Sequence, residues 1–180
     1  VEVIMIFRET NLKGAFVIDT EKFEDKRGFF ARAWCQKEVE ANGLISRVAQ
    51  TNISFNKRRA TLRGMHYQVA PYEQVKLVRC TAGAIYDVII DMRPDSPTYR
   101  KWIGVKLTAE NYTMLYVPEH FAHGFQTLED TTEITYQVSQ FYSPECERGV
   151  RYDDPVFGIE WPLPVEVISE KDIAWPYCSP

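Results

Sequence analysis

Apolar and polar positions alternate in short runs along this chain, and glycine, proline, asparagine and aspartate break the runs every few residues. That rhythm predicts many short strands and little helix. Residues 14–19 read as an early strand. Residues 25–28 read as a turn and 29–34 as the strand that follows it. Residues 48–55 alternate, with Val48, Gln50, Asn52 and Ser54 on one side and Ala49, Thr51, Ile53 and Phe55 on the other. In the run 84–93, Tyr86, Val88, Ile90 and Met92 make an apolar face, while Ile85 and Ile89 share the opposite face with Asp87 and Asp91. Residues 102–107 and 114–117 are further strands. Residues 121–125 read as a compact corner entering a strand over 125–128. Residues 133–138 put Ile134, Tyr136 and Val138 on one face, so Tyr136 points inward if its two neighbours are core. Residues 36–41 are the best short helix, stopped at Asn42-Gly43, and Ser169 to Asp172 caps a helical turn.

About a dozen short strands with few helices imply an all-β double-sheet jelly roll of the cupin type. With 180 residues and no repeat, linker or low-complexity segment, the expectation is one domain over 1–180. Within it, the stretch 61–79, TLRGMHYQVAPYEQVKLVR, stands out. Arg63, His66, Gln68, Lys76 and Arg79 are dispersed among strand-like apolar residues, as in a pocket wall. An imidazole beside an amine and guanidiniums suits removal of a proton with negative charge left on oxygen. Taken alone, the stretch reads equally well as a core histidine with surface cations around it. The basic cluster Lys57-Arg58-Arg59 reads as a solvated loop.

Charge and cysteine usage narrow the partners. The net charge of −4 leaves no global basic field, so nucleic acid is a poor candidate. Cys35, Cys80, Cys146 and Cys178 are scattered with no C-x-x-C, which predicts buried free thiols in a reducing cytoplasm. The apolar run 3–7 is too short for a signal peptide or a membrane span. Metal-dependent cupins hold their ion with two histidines one residue apart, a glutamate and a third histidine. Here Gln68 stands where the second histidine belongs, and His120 and His123 do not complete the set. The expectation is acid–base chemistry with no metal and no cofactor.

A set of short motifs resembles the dTDP-4-dehydrorhamnose 3,5-epimerase family from residue 14 to about 176. They are Asp25-Lys-Arg-Gly-Phe-Phe30, Gln50-Thr-Asn52, Leu62-Arg-Gly-Met-His-Tyr-Gln68, Lys76-Leu-Val-Arg79, Ser96-Pro-Thr98 and Pro118-Glu-His-Phe-Ala-His-Gly-Phe125. Tyr136, Tyr142-Ser-Pro144, Gly158-Ile-Glu-Trp-Pro162 and Ser169-Glu-Lys-Asp172 continue the series. Each is weak, but their order and spacing are specific. The resemblance implies a metal-free cupin homodimer acting on a dTDP-linked 4-keto-6-deoxyhexose. It implies His66 as general base, Asp172 as its orienting carboxylate, Tyr136 as the acid opposite and Lys76 at the developing oxyanion. It also implies substrate contacts from Arg27, Arg32, Gln50, Asn52, Arg63, His123, Tyr142, Glu147 and Lys171.

Two positions depart from the family pattern. Arg32 stands where a glutamate is usual, and His120 where a glycine is commoner. Related enzymes epimerise only C3 with nearly the same residues, and a non-catalytic sugar-binding cupin is a third alternative. One geometric tension remains. Strict alternation puts Leu62, Gly64, His66 and Gln68 on one face and Thr61, Arg63, Met65 and Tyr67 on the other. For Arg63 and His66 to share a pocket, either Gly64 hosts a bulge, or Arg63 reaches in from beyond the ordered strand.

Overall fold

Thirteen strands and two short helices form from the described residues of this computed structural model, residues 4–178. The start of the first apolar run, Val3, lies outside them. Strands β1 (Met5–Glu9), β2 (Phe16–Thr20), β5 (Gln50–Asn56), β7 (Lys76–Ala82), β10 (Met114–Val117) and β12 (Thr132–Val138) make one sheet, in the order β1-β2-β10-β7-β12-β5. Strands β6 (Leu62–Gln68), β8 (Ala84–Asp91), β9 (Trp102–Thr108), β11 (Phe121–Thr127) and β13 (Glu147–Gly149) make a second, in the order β13-β6-β11-β8-β9. The pairings are antiparallel throughout. A separate hairpin, β3 (Lys22–Asp25) and β4 (Gly28–Ala31), stands apart from both. The architecture is the expected cupin-type jelly roll, with α1 (Gln36–Ala41) and α2 (Glu170–Ile173) as its helices. None of the helices formed by the described residues is long and apolar enough to cross a membrane.

Alternation explains most of the packing. Val78, Leu115 and Ile134 from the six-stranded sheet meet Ile85, Ile89 and Leu107 from the other, all fully buried. Strand β8 is buried on both faces, because Val88 and Ile90 pack under Val150, Phe157 and Trp161 from the C-terminal region. Its two aspartates, Asp87 and Asp91, are therefore sealed off completely. Strand β5 inverts the usual polarity. Gln50, Asn52 and Ser54 point inward while Ile53 and Phe55, 68% and 50% exposed, face out at the sheet edge.

Strand β6 carries the bulge. His123 pairs with His66 and Phe125 with Arg63, so two steps on β11 match three on β6. Gly64 has φ +124°, a conformation side chains resist. A Cβ on Gly64 would also lie 2.5 Å from the Cα of Gly124, and one on Gly124 would lie 2.5 Å from Met65 Sδ. The two glycines let the strands touch. This corrects the expected corner at 121–125. Strand β11 is continuous from Phe121, Gly124 serves close approach, and the turn falls just before it, at Glu119-His120. The strand expected over 29–34 ends early, at Ala31. The four cysteines are free as expected, but only Cys80 is fully buried, where burial raises its thiol to about 11.

Candidate active site

Between the sheets lies a cavity of about 520 Å³. The bulge turns Arg63 and His66 toward it together, which resolves the alternation problem in favour of Gly64. From the facing sheet come Lys76 on β7 and Tyr136 on β12. His123 enters from β11, and Ser169, Lys171 and Asp172 close the cavity from the C-terminal segment. A second cavity of about 340 Å³ shares His66, Lys76 and Tyr136 and adds Gln50, Asn52, Tyr142 and Glu147. The two form one cleft, lined at its centre by an imidazole, an amine and a phenol.

The carboxylate nearest His66 arrives from 106 residues away, its Oδ1 2.6 Å from Nε2. Local chemistry aims it. Ser169 caps α2 and accepts from the Asp172 amide at 3.1 Å, and the segment before it hydrogen-bonds along β6 through Val167. Asp172 Oδ2 then accepts from the Gly64 amide at 3.2 Å. The bulge that turns the side chains thus also supplies a donor for the carboxylate. Asp172 is 4% exposed. Burial alone would raise its carboxyl, but the bonds from His66, Gly64 and Ser169 outweigh it and hold the group below its usual range. A carboxylate only accepts, so the imidazole donates through Nε2, and in the neutral ring Nδ1 is then the nitrogen that carries the lone pair.

Lys76 is buried, its Nζ donating to the His66 carbonyl at 3.4 Å. Burial pulls its ammonium down from 10.5 to about 8, against the attraction of Asp87 and Glu147. His123 is hydrogen-bonded through Nε2 to Asp87 Oδ1 at 2.8 Å. Burial lowers its pKa; Asp87 opposes that, while Lys76 and His66 add to it. Arg63 is held by its Nε on Asn56 Oδ1 at 2.7 Å. At the rim, Glu147 Oε2 accepts from Lys171 Nζ at 2.6 Å and from the Tyr142 hydroxyl at 2.9 Å. Burial alone would raise the Glu147 carboxyl, but those two bonds pull it below its usual range.

A family model described as dTDP-4-dehydrorhamnose 3,5-epimerase matches residues 9–179. The chain belongs to this family. An epimerase of that name from Sinorhizobium fredii is 44% identical over 177 residues, covering 96% of this chain and 89% of its own. The crystal structure of the Bacillus anthracis enzyme, with TDP and PPi bound, superposes with a TM-score of 0.93 at 39% identity, over 97% of this chain and 100% of that one. A 3,5-epimerase from Legionella pneumophila in complex with dTDP-4-keto-L-rhamnose gives a TM-score of 0.90 at 36% identity, covering 97% and 93%.

Set against the family pattern, the cleft gathers eleven of the thirteen residues singled out in the sequence. Arg27 and Arg32 line neither cavity. Arg27 sits at the tip of the β3–β4 hairpin, 84% exposed and paired with Asp25. Arg32 pairs with Glu38 of α1 at 2.5 Å. Gln68, at the second histidine position of metal cupins, clamps loops instead. Its amide donates to Tyr72 and Phe141 carbonyls and accepts from the Ser143 amide. Among the described residues no three His, Cys, Asp or Glu side chains converge as a metal set. Two contributors escaped the sequence reading. Asp87 had a signal, one of two carboxylates on a strand face shared with Ile85 and Ile89. Asn56 ends a strand whose polar face had not been given a direction.

Proposed function

We propose that this chain epimerises dTDP-4-dehydro-6-deoxy-D-glucose at C3 and C5 to dTDP-4-dehydro-L-rhamnose. The observation that carries the reading is the 2.6 Å His66–Asp172 pair on one wall of a cleft whose other wall presents Lys76 and Tyr136. The C4 ketone acidifies the hydrogens on its neighbouring carbons. His66 Nδ1 removes one of them, and Asp172 stabilises the imidazolium that forms. The electrons move onto O4, where the Lys76 ammonium meets the enolate charge. Tyr136, on the opposite sheet, returns a proton to the other face of the carbon, and the stereocentre inverts. Arg63, fixed through Nε, offers its remaining guanidinium donors to the diphosphate. Gln50, Asn52, His123, Tyr142, Glu147 and Lys171 hold the rest of the nucleotide sugar.

The working unit in this reading is a homodimer of one-domain chains in the cytoplasm. Arg27 and Arg32 lie outside their own chain's cleft, and a second copy can bring them to it. The exposed Phe23, Phe30, Ile53 and Phe55 provide apolar surface for that contact. Light scattering of the purified protein at twice the chain mass is the expected result. Proton NMR with the substrate in deuterated water tests the reaction. Deuterium at C3 and C5 is expected. Deuterium at C3 alone would make this a C3 epimerase, and none would leave a sugar-binding protein.

A further inference from the structure

We propose that Trp175 is a positioning residue for this reaction, an aromatic wall that keeps the His66 imidazole seated on Asp172. The proposal rests on the reading of His66 as the base. The indole and imidazole centroids are 6.1 Å apart with planes at 61°, an edge-to-face contact within the separation aromatic pairs favour. The indole fills space that the neighbouring strand has vacated. Gly149 is the register partner of His66, and a Cβ there would lie 2.2 Å from Trp175 Cε2 and 2.4 Å from Cδ2. Any side chain on Gly149 would push the ring out.

The same segment supplies both supports. Trp175 follows Asp172 by three residues, just past the last turn of α2. The segment is clipped down on either side of the indole. Arg151 donates to the Ile173 carbonyl, and the Cys178 amide donates to buried Asp154 at 2.6 Å. The indole N–H is buried and makes no hydrogen bond, so hydrogen bonding is not what places the ring. Its contact with the imidazole and with Gly149 is. The bond to Asp172 fixes one nitrogen only, and the ring remains free to pivot about it. An indole against one side blocks that pivot and keeps water from the same side. The free Nδ1 is then held in the direction the substrate requires.

Trp175→Ala and Trp175→Phe test this, with Gly149→Ala as a variant that displaces the indole without deleting it. Misplacing a catalytic group costs rate, so Trp175→Ala is expected to lower kcat roughly tenfold while KM moves by no more than about twofold. Trp175→Phe is expected to recover most of the loss, and Gly149→Ala to reproduce it. In the free proteins, the Cε1 proton of His66, assigned with His66→Asn, is followed by NMR titration. Its midpoint is expected to move in Trp175→Ala and Gly149→Ala and to return in Trp175→Phe. An unchanged kcat and an unchanged midpoint in folded Trp175→Ala or Gly149→Ala would overturn the proposal. Failure of the catalytic reading looks different. The wild-type protein would then exchange no deuterium into the sugar, while the His66 titration would still report whether Trp175 holds the ring.

Discussion

Two histidine–aspartate pairs sit side by side in this protein, on cross-strand partners, and they are built for opposite ends. His66 and His123 face each other in the β6–β11 ladder. Each bonds a carboxylate through Nε2, at 2.6 Å to Asp172 and 2.8 Å to Asp87. The difference lies in the surroundings. The His66 side chain is 29% exposed and opens on the cleft, whereas His123 is 11% exposed and its aspartate has no exposed surface. Asp87 comes from the middle of a strand buried on both faces, and Asp172 from a capped turn laid across β6. On the proposed reading, identical chemistry serves as the proton acceptor in one setting and as a fixed wall of the sugar site in the other. Access and the origin of the carboxylate decide which.

The comparison breaks or holds on paired variants. His66→Asn is expected to lower solvent exchange at C3 and C5 by about a hundred- to ten-thousand-fold, the range of general-base catalysis. Nucleotide binding by calorimetry should stay close to wild type, and retained exchange would remove His66 from the chemistry. His123→Leu leaves a buried carboxylate unpaired and is expected to lose about 3 kcal/mol of stability in a urea melt. A melt matching that of His66→Asn would show that the two pairs do not differ in kind.

Tyr136→Phe separates the two halves of the reaction across the cleft. The ring still packs beside core residues, so the fold should survive. Deuterium exchange is expected to persist while net inversion, above all at C5, falls. Wild-type formation of inverted product would leave Tyr136 as lining alone.

Lys76, near both pairs, sharpens the comparison through pH. With its ammonium at about 8 in the fold, kcat is expected to fall as pH rises through that value. Stability moves the other way. Between about 8 and the usual 10.5 the unfolded chain binds more protons than the native one, so this group makes stability rise with pH in that window. Lys76→Met should abolish both trends, and a kcat profile still falling near 8 in that variant would reassign the limb.

The third histidine is the control with the smallest effect. His120 has φ +62° and only a distant acidic neighbour, Glu73 at 3.9 Å. The family's commoner glycine suits that left-handed turn. His120→Gly is expected to change stability by less than about 1 kcal/mol in the stabilising direction, with kcat unchanged. A loss of kcat would place the imidazole in the site.

Much of this was legible in the residues. Strand positions followed from alternation, helix α1 from its stop at Asn42-Gly43, and the bulge from a glycine set between two side chains that had to share a face. The motif series also brought out the residues lining the cleft. What escaped depended on contacts remote in sequence. Asp172 was found through the motif series alone, and without it the residue reads as the carboxylate of a capped surface turn. The alternation of β5 gives its polar side no direction, yet that side faces the cleft and the apolar side is exposed at the sheet edge. Strand β13 has three residues and no alternation to see, and Gly124 looks like a corner because a glycine needed for close approach and one needed for a turn share a letter.

The bulge in β6 has a consequence for insertions and deletions. Most one-residue deletions inside a strand flip every side chain beyond them to the wrong face. Removing Met65 would do the reverse. Arg63 and the imidazole would then lie two positions apart on a regular strand, still pointing the same way. The sacrifice would be the amide that Gly64 offers to Asp172. Length variation at this one place in the sheet can therefore spare the direction of both side chains while loosening the carboxylate behind His66.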